Sequence, residues 1–267
     1  MRNISWNPVL AIGSSRALLP VRVPVIHPEW VLCWSVLVLP TLAGCRIAAD
    51  GQNAQGVRLF EQGRWESAVD QFQQASANDP ENADAIYNLA AVHHHRARTL
   101  KNRIEFDQAE EQYRRCLRIA PNHVDAHRAL AVLLAATERA ELAEQHLRRW
   151  AAQSPELSDA RVELARFYEE RQQPEQAKRF LQEAIAIDQS NARAWAALGR
   201  LRERSGDRSQ ALANYQRGYA LDPTQAPLAQ RIAALSSGAR GVPAPAGEGR
   251  TRLVDVKRTP SPVGQRR

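Results

Sequence analysis

Trp195-Ala196-Ala197-Leu198-Gly199, then Ser205-Gly206-Asp207, then Ala211, Tyr215 and Asp222-Pro223, form the stretch whose reading decides the fold. Its apolar and small residues recur at three- and four-residue spacing, which is the pattern of amphipathic helix. Gly206 suits a tight turn between two such helices, and Pro223 ends the second because proline cannot continue the hydrogen-bond ladder. The stretch therefore predicts one helical hairpin with small residues where its helices approach closely.

Working outward, the same slots recur along the chain. Ala109, Ala143, Ala177 and Ala211 are each 34 residues apart, as are Tyr113, Leu147, Leu181 and Tyr215, and Cys116, Trp150, Ala184 and Gly218. Ala68, Phe72 and Ala75 repeat the spacing one unit earlier, offset by 41 residues. Leu89, Leu130, Leu164 and Leu198 are each followed by a small residue: Ala90, Ala131, Ala165 and Gly199. Pro80, Pro121, Pro155 and Pro223 close units, with Gln189 in that place once. One hairpin cannot bury its own apolar face, so a core requires stacking.

These residues resemble the tetratricopeptide repeat. The resemblance implies an all-α fold, a right-handed α-solenoid of about five hairpins with a C-terminal capping helix. It covers units at about 49–82, 83–123, 124–157, 158–191 and 192–225, within a domain spanning 45–237. Pro227 to Leu235 reads as the cap, in 226–237. Gly63 suits the first unit's turn, and Pro174 suits the first turn of a second helix. Three departures stand out. Gln52 and Gln55 replace apolar groups, so the first helix is expected to be frayed. The second unit is seven residues longer around Arg96 to Glu105, close to two extra helical turns. Trp150 fills a small-residue slot and should either separate helices or fill a gap.

The ends differ in character. Residues 30–42 form an apolar run too short to span a bilayer comfortably but suited to a signal peptide, and no run of about 20 apolar residues exists anywhere. The run ends in Leu42-Ala43-Gly44-Cys45, which resembles the lipobox of bacterial lipoproteins. That resemblance implies a targeting segment over 1–44, cleavage before Cys45 and a lipid on its thiol. An ordinary secretory signal, an uncleaved anchor, or an apolar segment packed on the first repeat are the alternatives. Nearly 30 residues precede the run, long for such a segment, and Met1 is the only methionine. The 238–267 tail is rich in Gly, Pro and Arg and is expected to be disordered. The formal charge of the 267-residue chain is +7, and it resides in these two ends, leaving 45–237 neutral. A nucleic-acid-binding domain would carry its positive charge on the fold.

Candidate chemistry is sparse. His93-His94-His95 point about 100° apart on a helix, so they cannot share one metal. His93 falls on the apolar stripe, while His94 and His95 are expected to face the inner surface. Cys116 reads as a small buried thiol. No phosphate loop, zinc-hydrolase helix or nucleophile elbow is present, so neither catalysis, cofactor, metal nor small-molecule substrate is expected.

The resemblance also implies that first helices line the inner face. Tyr87, Asn88, Ala91, Arg128, Val132, Ala135, Arg166 and Arg200 are the expected partner-binding residues there. The lysines with which some tetratricopeptide domains clamp a C-terminal carboxylate are missing. Small apolar groups flanked by arginines suit a helical or extended protein segment with acidic groups. The expected function is a non-catalytic scaffold, lipid-anchored in a bacterial envelope and facing the periplasm or cell surface. An accessory module for a separate enzyme and a nucleic-acid-associated protein acting through the tail are the alternatives, although nucleic acid is not the expected partner.

Overall fold

The computed structural model describes residues 46–237, and the leader, Cys45 and the tail lie outside the described residues. The described residues belong to a compact unit that excludes Met1–Ala43. They form eleven helices and no strand. After α1 (46–61) come α2 (Trp65–Asn78), α3 (Ala83–Leu100), α4 (Arg103–Ile119), α5 (Val124–Ala136) and α6 (Ala140–Gln153). Then follow α7 (Ser158–Glu170), α8 (Pro174–Ile187), α9 (Ala192–Arg204), α10 (Arg208–Leu221) and α11 (Ala226–Ser236). None is long and apolar enough to cross a membrane.

Each helix packs on the next, and successive odd helices also approach directly, at α3–α5, α5–α7 and α7–α9. The odd helices therefore form the inner layer of an α-solenoid. Side chains cap them where the chain re-enters helix: Asn82 Oδ1 accepts from Ala85 N at 2.9 Å, His123 Nδ1 from Ala126 N at 3.1 Å, and Asn191 Oδ1 from Ala194 N at 3.0 Å. Such caps satisfy amide donors that the helix itself leaves unpaired. The turns to the even helices use left-handed backbone, with Gly63 at φ 74° and Gly206 at φ 87°. Lys101, Glu138 and Gln172 adopt the same conformation without glycine, at φ 51°, 61° and 58°.

The core runs continuously from Ile86 to Leu201 and includes Tyr113, Leu130, Leu147, Trp150 and Leu164. Further apolar groups flank it at both ends, all drawn from the described residues. Its last face is covered by α11, whose Leu228 packs with Ala211 and Tyr215.

The first helix is not frayed. It runs unbroken over 46–61 because polar groups replace the missing apolar ones with hydrogen bonds. Gln52 accepts from Asn78 Nδ2 at 2.8 Å and donates to Gln74 at 3.3 Å. Asn53, 1% exposed, accepts from Asn88 Nδ2 at 2.9 Å. The extra residues of the second unit lengthen its helices: α3 has 18 residues and α4 has 17, against 13 and 14 in α5 and α6.

Trp150 fills a gap between helices. Its ring stacks on His127 at 3.9 Å and 7°, and its Nε1 donates to Asn122 Oδ1 at 3.2 Å. His127 Nε2–H donates to the Pro121 carbonyl at 2.8 Å, which leaves its Nδ1 to accept from His146 Nε2 at 3.0 Å.

Candidate functional site

The inner layer exposes only a narrow strip, because α3, α5 and α7 each lie between two other inner helices. This overturns three of the expected surface positions. Tyr87 is 1% exposed: its ring stacks on His123 at 4.9 Å and tilts against Tyr113 at 5.8 Å. Asn88 is fully buried against α1 through Asn53, and Ala91 is 2% exposed. The sequence pattern shows one apolar stripe per helix, whereas α3 buries that stripe and both of its flanks.

The histidine run is also corrected at one position. His94 is buried rather than on the inner surface, with Nδ1 3.3 Å from the Tyr113 hydroxyl. Burial foremost, then Arg98, pushes its pKa down to about 4. His93 is buried against Glu105, with Nδ1 2.7 Å from Oε2. His95 is exposed and meets Phe60 and Trp65 edge-on. The Cys116 thiol is buried, and desolvation raises its pKa to about 12, far from the reactive thiolate form. No group of three metal-ligating side chains occurs among the described residues.

Five of the expected residues remain along the strip: Arg128, Val132, Ala135, Arg166 and Arg200. Their setting differs from the expectation of arginines waiting for a partner. Glu163 of α7, 3% exposed, lies at the centre of a charged cluster that sequence reasoning missed. Arg128 of α5 donates to it through Nε at 3.0 Å and through Nη2. Arg193 of α9 donates to it through Nη2, and Arg166 Nη1 lies 3.7 Å away. Burial alone would raise the Glu163 pKa, but Arg128 first, then Arg193 and Arg166, outweigh burial and hold it at about 2.

Carboxylates surround these arginines in turn. Asp125 accepts from Arg128 Nη1 at 2.8 Å, Asp159 from Arg193 Nη1 at 2.8 Å, and Glu170 from Arg166 at 3.0 Å. A second cluster joins Glu169 to Arg200 at 3.3 Å and to Arg204 at 2.8 Å. A third joins Glu203 to the Tyr215 hydroxyl at 2.9 Å and to Arg231 Nε at 2.7 Å. The faint sequence signal for this arrangement was periodicity: Asp125 and Asp159, Arg166 and Arg200, and Glu169 and Glu203 are each 34 residues apart.

Between α5 and α7 the strip dips into a shallow recess of about 20 Å³. Ala131, Val132, Leu147 and Phe167 form its apolar lining, and Arg128, Arg166, Glu163 and Glu170 supply charge. The structure thus brings together Arg128, Val132 and Arg166. Ala135 is exposed but does not line the recess, and Arg200 belongs to the neighbouring Glu169 cluster. An apolar floor with both donors and acceptors at its margin can seat a side chain while bonding a polar backbone.

Profiles described as TPR repeat or tetratricopeptide repeat match residues 56–95, 96–158, 143–201 and 194–227. No curated protein sequence matches the chain significantly. Among solved structures, the thermophilic TPR protein TTC0263 of Thermus thermophilus is 22% identical with TM-score 0.52, covering 71% of this chain and 100% of that one. PilF of Pseudomonas aeruginosa is 21% identical with TM-score 0.47, over 73% of this chain and 86% of that one. PilW, a type IV pilus biogenesis factor, is 17% identical with TM-score 0.48, over 72% and 87%. At these identities, likeness concerns fold alone.

Proposed function

Because the chain belongs to the tetratricopeptide repeat family, we propose that it is a protein-docking scaffold, whose recess between α5 and α7 receives a segment of a partner protein. The observation that carries this reading is the recess itself. Its apolar floor of Val132 and Phe167 is bordered by charges already paired within the protein. Desolvating such a site on binding costs less than burying an unpaired arginine. The segment that suits it presents an apolar side chain on an extended or helical backbone, and strong acidity is not required of it.

We further propose that the scaffold is tethered to a bacterial envelope membrane through lipid on Cys45. The reading rests on Leu42-Ala43-Gly44-Cys45 at the end of an apolar run. Lipid at that point would sit immediately before α1 and would carry the whole stack.

One experiment addresses both parts. The protein is expressed in a bacterium and purified from detergent-extracted membranes, and the mature N-terminus and the co-purifying proteins are identified by mass. Lipidated Cys45 at the N-terminus is expected, and an unmodified Cys45 still joined to Gly44 sinks the tether. The partner found is then titrated against Val132→Asp and Glu170→Arg, with Gln182→Glu on α8 as control. Loss of affinity in the first two alone is expected. Affinity unchanged in both, with thermal stability unchanged, would refute the recess as the docking site. Arg128→Glu is unsuitable as a probe, since it would place like charge against buried Glu163.

A further inference from the structure

The α3–α4 hairpin ends unlike the others. α3 has 18 residues against 13 in α5, α7 and α9, and α4 has 17 against 14 in α6, α8 and α10. At about 1.5 Å per residue, its tip projects roughly 5–8 Å past the neighbouring turns. The other hairpin turns are polar or contain glycine: Gln62-Gly63-Arg64, Thr137-Glu138-Arg139, Arg171-Gln172-Gln173 and Ser205-Gly206-Asp207. This one reads Leu100-Lys101-Asn102-Arg103-Ile104, with Leu100 59% and Ile104 67% exposed. Two aliphatic side chains in water at a projecting tip are a standing cost to solubility.

Charge at the tip has one sign. Glu105 is bound by Arg96 Nη2 at 2.8 Å and by His93, while Arg98, Lys101 and Arg103 form no ion pair among the described residues. Asp107 is the nearby exposed carboxylate, one turn back along α4. The tip is also firmly built. Asn102 Oδ1 accepts from Ile104 N at 2.9 Å to cap α4, and Lys101 closes α3 in left-handed backbone. Glu105, 7% exposed, ties the base of α4 to α3 through His93 and Arg96.

We propose that this tip is a membrane-contact site: Leu100 and Ile104 enter the interfacial layer of an anionic bilayer while Arg98, Lys101 and Arg103 meet its phosphates. The tip projects past its neighbours and carries its aliphatic and basic side chains exposed. A deformable plane of anionic headgroups over hydrocarbon matches aliphatic residues ringed by cations. The contact is separate from any tether at Cys45. Asn82 Nδ2 donates to Asp50 Oδ1 at 3.2 Å, so the starts of α1 and α3 share one edge. The tip lies at the opposite end of α3, about 27 Å away.

The test omits both the leader and the basic tail. Fragment 46–237, shown first by circular dichroism and cooperative thermal unfolding to fold alone, is floated with vesicles of phosphatidylcholine and phosphatidylglycerol in a two-to-one ratio, and with phosphatidylcholine alone. At low salt it is expected to float with the anionic vesicles and not with the neutral ones. Lys101→Glu with Arg103→Glu, and separately Leu100→Ser with Ile104→Ser, should each weaken partitioning by roughly tenfold or more. Arg217→Glu on exposed α10 should leave it unchanged. All four tip side chains are exposed, so circular dichroism of each variant should match the parent. Absence of flotation, or flotation indifferent to both double variants, overturns the proposal. Sensitivity to charge reversal alone also overturns it, because that result describes adsorption without insertion. Tip-dependent capture of an acidic protein by a fragment that fails to float would replace the bilayer with that protein.

Discussion

At the scale of single residues, Gly199 sets the distance between two helices. A Cβ added there would lie 2.7 Å from the Tyr215 ring, and Gly56 faces Phe72 in the same way at 2.5 Å. Tyr215 cannot easily swing aside, because it is 2% exposed and its hydroxyl is bonded to Glu203. Gly199→Ala is therefore expected to destabilise the fold by about 1–3 kcal/mol through overpacking. Guanidinium denaturation of the variant measures this, and a change below about 0.5 kcal/mol would show that the ring relocates freely. This slot was legible, since Leu198-Gly199 repeats the pairing of Leu89-Ala90 and Leu130-Ala131. So were the glycine turns at Gly63 and Gly206. The turns at Lys101, Glu138 and Gln172 gave no such signal, because a non-glycine residue takes left-handed backbone there only under the pull of its neighbours. The Asn53–Asn88 pair was equally hidden. Its members are 35 residues apart, and only the packing of α1 on α3 makes them partners.

Among elements, the decisive tie is Glu163, which fastens α7 to α5 and to α9. Removing it severs both ties and leaves Arg128 and Arg193 with only Asp125 and Asp159 as carboxylate partners. Glu163→Ala should thus cost about 1–3 kcal/mol of stability, read from denaturant unfolding. A loss under about 1 kcal/mol would mean that water screens Arg128 and Arg193 once the carboxylate is gone. Arg128 and Arg166 of this cluster were visible in the sequence as inner-face residues, but Arg193 and the carboxylate they share were not. Helical periodicity says which residues share a face, while the identity of a charged partner depends on how closely successive inner helices approach. For the same reason Tyr87 and Ala91 looked like surface and proved to be core.

For the whole molecule, the clearest consequence concerns pH. Burial is the foremost cause that lowers the pKa of His94 and His127 to about 4 and of His146 to about 3. His127, Arg114 and Arg149 further oppose a charge on His146. In the unfolded chain these imidazoles titrate near 6.5. Below that pH the unfolded chain binds protons that the folded one refuses, so this stabilisation is present above about 6.5 and drains away as pH falls toward the folded values. Each histidine contributes a slope of up to about 1.4 kcal/mol per pH unit. Glu163, held at about 2, adds a loss of the same sign below its ordinary range. The thermal midpoint of fragment 46–237 should drop steeply from pH 6.5 to 4, and His146→Gln should flatten the slope by about one proton. A midpoint that holds or rises on acidification would contradict the buried neutral state. The inner tie has a mechanical counterpart. Inner helices are joined by carboxylate–guanidinium contacts, whereas the outer helices chiefly meet their neighbours in sequence. Straightening the stack must draw Glu163 away from both Arg128 and Arg193, whereas curling it more tightly strains, on the outer side, the contact of Arg139 with Glu110. The solenoid is therefore an uneven spring, stiffer against being pulled open than against closing around what it holds.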